Sequence, residues 1–321
     1  MPELPEVQTV VSQLAAKTVG LRVVGFHSEW AKAVRPSVEQ FRETIVGATI
    51  IGVRRFGKHI VMDLIGKESL GEEGGAGRVF QQSRGRQFGR GGSARQGKIL
   101  PVTTHSSIVI HLKMTGHLLV KNAANEHDEQ FQNDPYNGYI RHVIELSNAT
   151  RIEFSDLRKF GWLEVMPTTE VEKLKSIREL GVDALSEEFT PERFAALLKK
   201  KPKAKIGALL LEQTLIAGIG NIYRNEALFR SGILPMRLAG TLTKTETQKL
   251  HRSIIEVLRE AVELRGMSDG DFRDTDGRMG SFEENAFVYA REGAPCKKCG
   301  TMIVRAKLGQ RSVFYCPHCQ R

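Results

Sequence analysis

Four cysteines near the end of the chain have the spacing of a metal site. They form two Cys-x2-Cys pairs separated by sixteen residues, first Cys296 and Cys299, then Cys316 and Cys319. Paired knuckles of this kind bring four thiolates around one Zn²⁺, and a site closed by four protein ligands is structural. The spacing therefore predicts one structural zinc ion. His318 inside the second pair is an alternative ligand, whereas a redox function requires a thioredoxin-like context that the sequence lacks.

The amino terminus is a second place where chemistry is possible. Removal of Met1, which a small second residue favours, would expose Pro2 as a secondary amine followed by Glu3 and Glu6. An α-amino group has a pKa near ~7.7–8, so part of it is neutral and nucleophilic at pH 7. Such an amine can attack a carbonyl-level carbon and form an iminium, and a carboxyl beside it can carry protons. A proline without chemical function is the alternative that the residues alone leave open.

The composition indicates a folded protein with a polyanionic partner. The chain has 321 residues, 40% of them hydrophobic and 26% charged, and its 47 Lys plus Arg against 37 Asp plus Glu give a net charge of +10. Two basic clusters fit phosphate binding, although each taken alone also fits a solvated charged surface. The clusters are Lys199, Lys200, Lys201, Lys203 and Lys205 in a central run, and Lys297, Lys298, Arg305, Lys307, Arg311 and Arg321 at the carboxyl end.

Membrane and secretory classes do not fit the sequence. No stretch approaches the ~18 consecutive apolar residues of a membrane span, and the first residues lack the pattern of a signal peptide. All cysteines lie in the last 26 residues, which is typical of a metal site in a reducing compartment rather than of disulfides. We therefore expect a cytoplasmic protein that is monomeric and has no membrane partner.

The first half of the chain is predicted to be mainly β-structure. A helix begins near Pro5 and ends at Gly20, and strand patterns follow. Several short strands with turn signals between them favour a sandwich or a barrel. The segment 66–105 is rich in Gly and Arg and is expected to be a flexible insertion. The predicted strands are 21–27, 49–56, 59–65, 107–112, 140–146, 151–154 and 161–165.

After Met166 the pattern becomes helical. A capping box, Thr243 with Glu246, begins the longest predicted helix. Two glycines at 217–221 permit a sharp turn, and the helix that follows offers free N–H groups to an anion, although an ordinary helical hairpin is the alternative. The predicted helices are 169–180, 191–200, 206–216, 221–231 and 244–265.

Six motifs along the chain together resemble the bacterial formamidopyrimidine-DNA glycosylase family. They are PELPEV at 2–7, RRFGK at 54–58, HLKMTG at 111–116, DLRKFG at 156–161, GNIY at 220–223 and the four-cysteine finger. The resemblance runs nearly end to end, and only about 66–105 has no counterpart. It implies an α+β fold: an antiparallel β-sandwich with flanking helices at 1–166, a helix-two-turn-helix region at 167–282, and a zinc finger at 283–321.

The resemblance also implies a bifunctional base-excision repair enzyme. Such an enzyme removes oxidised purines, 8-oxoguanine and formamidopyrimidines, from double-stranded DNA and cuts the strand at the abasic site by β,δ-elimination. By similarity, Pro2 is the nucleophile that forms a Schiff base at C1′, and Glu3 is the acid/base group beside it. Lys58 contacts phosphate and assists elimination, and Arg311 of the finger reaches the phosphates of the lesion.

Further residues carry DNA contacts by the same similarity. The gap left by the flipped base is filled by Met114, Arg158 and Phe160. These residue types suit that role, because apolar and aromatic groups replace lost stacking and Arg presents donors to a cytosine edge. Asn221 clamps a backbone phosphate. Lys203 binds DNA in the lysine run.

Some residues depart from the family pattern. Gln8 replaces a Glu that is common in the family, and the recognition loop at 267–282 differs in detail from the family pattern. Gly207 falls where a helix lysine is common, so that Lys203 or Lys205 supplies that charge. An endonuclease VIII-like enzyme for oxidised pyrimidines is the nearest rival, and Leu4 argues against it. A noncatalytic DNA-binding protein is the second rival, and it has no need of the Pro2, Glu3 and Lys58 set.

Overall fold

The computed structural model describes residues 2–66, 105–268 and 270–321. The expected insertion at 66–105 falls, except for its two end residues, outside this part of the chain. The described α-helices are α1 (Leu4–Thr18), α2 (Val38–Ile45), α3 (Glu129–Asn133), α4 (Lys175–Arg178), α5 (Pro191–Lys200), α6 (Ile206–Leu209), α7 (Asn221–Ser231), α8 (Lys244–Glu263) and α9 (Phe282–Asn285).

The strands divide among four sheets, of which two are large. The described strands are β1 (Val23–Ser28), β2 (Val34–Arg35), β3 (Thr49–Phe56), β4 (His59–Ile65), β5 (His105–His111), β6 (Gly116–Lys121), β7 (Ile140–Leu146), β8 (Arg151–Asp156), β9 (Trp162–Pro167), β10 (Val182–Asp183), β11 (Ile216–Ala217), β12 (Val304–Leu308) and β13 (Arg311–Tyr315). No α-helix within the described ranges combines the length and apolar character needed to cross a membrane.

Two antiparallel sheets form the sandwich region, residues 2–66 and 105–167. One sheet has the strand order β1-β7-β8-β6 and the other β2-β9-β5-β4-β3, in which only the short β2 pairs in parallel with β9. Their inward residues, among them Phe26, Phe154 and Ile110, make one apolar core that α1 and α2 complete at its sides. Burying each large apolar side chain contributes about 1.5–3 kcal/mol, so this core is a main source of stability for the sandwich region.

Buried histidines in the sandwich region stay uncharged at neutral pH. Burial lowers the pKa of His59, His117 and His142 to about 4. Burial also lowers the pKa of His111 to about 2, with His59 and nearby lysines adding to the effect. His59 and His111 meet edge to face at 4.7 Å between ring centres. The packing of this region therefore depends on neutral imidazoles.

The helical region, residues 168–285, has its own core. Helices α5, α7 and α8 supply nearly half of its buried residues, and Leu4 at the start of α1 belongs to it as well. Thr243 and Glu246 form the expected capping box of α8. The predicted helix 206–216 was wrong beyond Leu209, because the chain turns there and residues 216–217 pair with β10 instead. Much of 169–180 is a 3₁₀ turn rather than an α-helix.

The cysteine module, residues 286–321, is a β-hairpin beside two knuckles. Strands β12 and β13 pair antiparallel from Val304 opposite Tyr315 to Leu308 opposite Arg311. Gly309, with φ +61°, permits the tight turn between them. The apolar cluster of the module is small and includes Phe229 from α7. The hairpin turn therefore projects Arg311 from a module that has little core of its own.

Candidate active site

The amino terminus of α1 is anchored on the amino terminus of α7. Glu3 is 2% exposed, and its carboxylate accepts hydrogen bonds from Ile222 N at 2.9 Å and Tyr223 N at 3.4 Å. These amides have no partner inside their own helix, and the positive end of the helix dipole attracts the carboxylate. Pro2, which precedes Glu3, is also buried. The first residues therefore lie between the sandwich and helical regions.

Two glycines make this close approach possible. Leu4 N donates to Gly218 O at 3.1 Å, and Gly218 has φ +98°, a conformation that favours glycine. A Cβ on Gly220 would lie only 2.1 Å from the carboxyl carbon of Glu3. Gln213 braces the turn, since it accepts from Gly218 N at 2.9 Å and donates to Ile219 O at 2.8 Å. The 217–221 turn is therefore a receptor for Glu3.

A second carboxyl lies buried behind Glu3. Glu6 accepts a hydrogen bond from Glu3 N at 2.7 Å, from Met267 N at 2.8 Å and from the Tyr223 hydroxyl. Burial, and then the negative charge of Glu3, raises the pKa of Glu6. Burial also raises the pKa of Tyr223 well above its ordinary value. Glu6 therefore takes up a proton more readily than an exposed glutamate, directly beside Glu3.

Lys58 reaches the same site from the turn between β3 and β4. Gly57 has φ +55° in this turn, and the side chain of Lys58 is almost wholly buried. Burial lowers the pKa of Lys58, Glu3 opposes this shift, and Arg311 adds to it. Arg55 holds the turn through a bidentate ion pair with Asp183. Lys58 is therefore a buried cation that gives up its proton more readily than an exposed lysine.

Gln8, one of the departures from the family pattern, contributes to the same support. Its Oε1 accepts from Arg55 Nε at 2.9 Å, at the base of the turn that carries Lys58. Asp183 already neutralises the charge of the Arg55 guanidinium, so the neutral amide of Gln8 is sufficient for this contact. Gln8 therefore positions the turn and does not itself line the cleft.

A cleft of about 580 Å³ lies where these elements meet the cysteine module. Besides Glu3 and Lys58, three residues predicted for the site line it: Met114, Asn221 and Arg311. It is completed by Leu211, Gln213, Ile219, Gly220, Ile222, Asp271 and Tyr289, of which Leu211, Gln213 and Tyr289 lie outside the predicted motifs, turn and recognition loop. One cleft thus collects two acids, two cations and two amides, which include the groups needed to bind an anion and move a proton.

Met114, Arg158 and Phe160 form a second group, the wedge. The Arg158 guanidinium lies 4.8 Å from the Phe160 ring centre, and its Nη1 is 3.2 Å from the Met114 sulfur. Phe160 is 52% exposed. Buried Asp156 holds the loops that carry Met114 and Phe160, since it accepts hydrogen bonds from the Thr115 hydroxyl and from Gly161 N. An exposed aromatic and a guanidinium are thus presented on a rigid base.

Lys203 is not brought into the cleft. It is exposed in the loop between α5 and α6, and it is absent from the residues that line the cleft. Gly207, at the start of α6, packs where a Cβ would lie 2.9 Å from both Leu308 Cδ2 and Pro235 O. A side chain at 207 therefore has no room unless the backbone at Pro235 and the Leu308 side chain both shift.

Three consecutive residues of α7 were missed by the sequence analysis. Arg224, Asn225 and Glu226 are fully buried, and we call them the α7 socket. Asn225 Oδ1 accepts from Phe314 N at 3.0 Å. Glu226 accepts from the backbone N–H groups of 287, 288 and 289 at 2.8–2.9 Å. The sequence signal for this socket is three consecutive polar residues within a helix. Successive helical residues point in different directions, so these three side chains cannot all face solvent.

The four cysteines fit a tetrahedral metal site. Their sulfur atoms all lie within 4.8 Å of one another. Zn–S bonds of about 2.3 Å place tetrahedral sulfurs about 3.8 Å apart, which this arrangement permits. Backbone amides point at the sulfurs, with Lys298 N and Cys319 N each 3.4 Å from a knuckle sulfur. With four thiolates present, Zn²⁺ would be closed off from substrate and would hold the hairpin in place.

Comparisons with known proteins agree along the whole chain. Family models match the formamidopyrimidine-DNA glycosylase N-terminal domain at 1–163, its H2TH domain at 180–272, and the zinc finger found in FPG and IleRS at 293–321. The chain is 38% identical to the formamidopyrimidine-DNA glycosylase of Pelotomaculum thermopropionicum and 34% identical to that of Desulforamulus reducens, with 100% of this chain and 99% of each relative covered.

Solved structures give the same result. Lactococcus lactis Fpg in complex with DNA containing an abasic site superposes with a TM-score of 0.77 at 27% identity, covering 99% of both chains. MutM in complex with DNA containing carbocyclic 8-oxo-G superposes with a TM-score of 0.76 at 27% identity, covering 100% of both chains. The α+β architecture expected from the sequence is thus confirmed.

Proposed function

The chain belongs to the formamidopyrimidine-DNA glycosylase family, and from this premise we propose that it excises oxidised purines from double-stranded DNA through an imine on Pro2 and then cuts the strand. It is a DNA glycosylase that acts on damaged bases. The observation that carries the proposal is the convergence of Glu3, Lys58, Asn221 and Arg311 on one cleft beside residue 2. Solved relatives bound to abasic-site and 8-oxo-G DNA support the same substrate classes here.

In the first step, the neutral amine of Pro2 attacks C1′ of the damaged nucleotide. The N–C1′ bond forms while the glycosidic bond breaks, and the departing base takes up a proton. Opening of the sugar ring places a proton on O4′ and leaves an iminium between Pro2 and C1′. Glu3 is the nearest carboxyl to residue 2 along the chain and exchanges these protons, with Glu6 behind it as a second carboxyl.

Strand cleavage follows from the electron-withdrawing iminium. Loss of a proton from C2′ breaks the C3′–O3′ bond, and loss of a proton from C4′ then breaks the C5′–O5′ bond, so that phosphate leaves on both sides. Water finally hydrolyses the imine and frees Pro2. Lys58 and Arg311 balance the charge of the departing phosphates, and Lys58, whose pKa burial lowers, is also suited to proton transfer.

The remaining residues hold the DNA. Asn221 at the start of α7 donates to a backbone phosphate, and Lys203 contacts a more distant one. Met114, Arg158 and Phe160 occupy the space of the flipped nucleotide, where Phe160 replaces lost stacking and Arg158 bonds to the orphaned base. One zinc ion on Cys296, Cys299, Cys316 and Cys319 fixes the finger that presents Arg311. The enzyme acts as a monomer.

Borohydride trapping tests the proposal. The protein is incubated with a duplex that carries one 8-oxoguanine opposite cytosine, the adduct is reduced, and the modified peptide is mapped by mass spectrometry. We expect a covalent adduct at Pro2 in molecules that have lost Met1. Pro2→Gly should weaken trapping while binding of a duplex with a tetrahydrofuran abasic analogue persists, because the analogue cannot form an imine.

Three results would contradict the proposal in different ways. Retention of Met1 in the active protein rules out Pro2 as the nucleophile. Trapping only with an oxidised pyrimidine assigns the substrate range of the endonuclease VIII-like branch. Tight binding of damaged duplex with no adduct on either substrate rules out the imine. An undamaged duplex is the matched control in each experiment.

A further inference from the structure

Arg224 lies at the centre of the contacts between α7 and the cysteine module. None of its side chain is exposed. Its Nη1 donates to Gly207 O at 2.9 Å, and its Nη2 donates to Asn221 Oδ1 at 2.6 Å and to Ser312 O at 2.9 Å. These three acceptors belong to the start of α6, the start of α7 and strand β13. One guanidinium therefore connects three separate segments of the chain.

This arginine is unusual among buried cations because its three acceptors are uncharged. Burial lowers its pKa to about 10, so that it still carries a positive charge at neutral pH. Neutral hydrogen-bond acceptors compensate poorly for the hydration lost on burial, and the attraction of Glu3 only partly opposes the effect of burial on the pKa of Arg224. An apolar side chain of similar volume would therefore suit a purely structural role better. The position of Arg224 therefore calls for an explanation other than stability.

The bond to Asn221 decides which end of that amide faces the cleft. An asparagine amide has an oxygen that only accepts and a nitrogen that only donates. Arg224 engages the oxygen, so the N–H groups of Asn221 remain for a ligand in the cleft. A phosphate needs donors, and the opposite orientation of the amide would turn an oxygen towards it.

The bond to Ser312 acts on the second cation of the cleft. Ser312 follows Arg311 on β13, so a fixed Ser312 carbonyl fixes the backbone from which the Arg311 side chain extends. The charges of the two arginines also interact, since Arg311 lowers the pKa of Arg224. Together, these two positive charges attract a common anion more strongly than either does alone.

We propose that Arg224 is a positioning residue for phosphate binding, which orients the Asn221 amide with its donors towards the DNA and fixes the hairpin that carries Arg311. The proposal rests on the function given above, in which Asn221 and Arg311 bind backbone phosphates. Arg224 itself does not touch the DNA.

A double-mutant cycle tests this role in the full-length, zinc-loaded protein. The four proteins are wild type, Arg224→Met, Asn221→Ala and the double variant, and the measurement is the Kd for a duplex with a tetrahydrofuran abasic analogue. Arg224→Met and Asn221→Ala should each raise the Kd about tenfold, the scale of one hydrogen bond to a charged group. In the Arg224→Met background, Asn221→Ala should change the Kd by no more than about twofold, which is the usual error of additivity.

A matched control separates positioning from folding. Arg230 lies on the same helix, also has a buried Nε without a hydrogen bond, and pairs with Glu260 at 2.6 Å outside the cleft. Arg230→Met should lower the Tm without changing the Kd. Zinc content and Tm are measured for every variant. If Arg224→Met does not fold, Arg224→Lys replaces it, because an ammonium keeps the charge but cannot reach three segments at once.

The outcomes are distinct. If Asn221→Ala raises the Kd equally in both backgrounds, Arg224 is structural and the proposal is overturned while the proposed function stands. If Asn221→Ala leaves the Kd of the otherwise wild-type protein unchanged, the phosphate role of Asn221 is wrong and the Arg224 proposal falls with it. Failure of the wild-type protein to bind the abasic duplex would contradict the proposed function itself.

Discussion

The sandwich region and the cysteine module are held together by opposite means. The sandwich region has a continuous apolar core between two sheets, completed by α1 and α2. The cysteine module has a small apolar cluster, four converging sulfurs and the buried polar contacts of the α7 socket. Pro2, Glu3 and Lys58 belong to the first framework and Arg311 to the second. The difference teaches that Glu3 and Lys58, on one side of the cleft, and Arg311, on the other, depend on separate sources of stability.

Glu3→Gln should give the largest effect and should separate chemistry from binding. The glutamine oxygen can still accept from Ile222 N, so the junction with α7 persists, whereas proton exchange is lost. We expect the single-turnover excision rate to fall by about 10²–10⁴-fold. Affinity for the abasic analogue should be retained. An equal loss of rate and affinity would show that Glu3 matters for the junction and not for proton transfer.

Cys296→Ser should affect the cysteine module and leave the sandwich region intact. Loss of one thiolate removes zinc, and the hairpin no longer presents Arg311, so affinity for the abasic duplex should fall about 10–100-fold. Both tryptophans, Trp30 and Trp162, lie in the sandwich region, so fluorescence unfolding reports on that region alone. This transition should not move.

His318→Ala is the control for the zinc prediction. It removes the other candidate ligand within the second knuckle and leaves the four thiolates, so zinc content and affinity should equal those of wild type. Zinc loss in His318→Ala would show that the histidine is a ligand. A shifted tryptophan transition in Cys296→Ser would show that the two regions are not independent.

Acid should weaken the sandwich region through its neutral histidines. In the unfolded chain, each histidine binds a proton near pH 6.5. In the folded protein, His59, His117 and His142 do so only near pH 4. The unfolded state therefore holds more protons between these values, and the free energy of unfolding falls as pH drops from about 6.5 to 4. Each histidine contributes at most about 1.4 kcal/mol per pH unit.

The measurement is tryptophan-monitored urea unfolding at pH 7 and pH 5. His142→Phe should reduce the pH dependence, because a phenylalanine ring fits beside Phe154 and cannot take up a proton. Val24→Ala is the control, since Val24 is exposed in β1 and carries no titratable group. An unchanged slope in His142→Phe would mean that other groups govern the acid response.

Local patterns predicted those elements whose residues decide their own structure. Strands β3 and β4 and helices α5 and α7 have the bounds expected from alternation, helical spacing and turn glycines. Strand β6 was missed, although β4, which is also buried on both faces, was predicted. The predicted helix 206–216 failed because Gln213 is used to brace the turn at 218, a tertiary contact that no local pattern contains.

The candidate site divides in the same way. Residues on recognisable motifs, such as Glu3, Lys58 and Asn221, were predicted and do line one cleft. Tyr289 and the α7 socket were not predicted, because their importance comes from contacts between distant segments of the chain. Lys203 was chosen for its charge alone, and charge in a lysine run does not determine which member points towards a site.

The α7 socket has a consequence for how the finger can change over evolution. On the finger side, Arg224, Asn225 and Glu226 form their hydrogen bonds with main-chain atoms: the carbonyl of 312 and the N–H groups of 287, 288, 289 and 314. Any residue except proline supplies these N–H groups, so the polar part of the junction does not depend on which side chains the finger carries there. A chimera that takes its finger from another relative should therefore dock onto this helix as long as the apolar contact of Phe287 with Phe229 is kept.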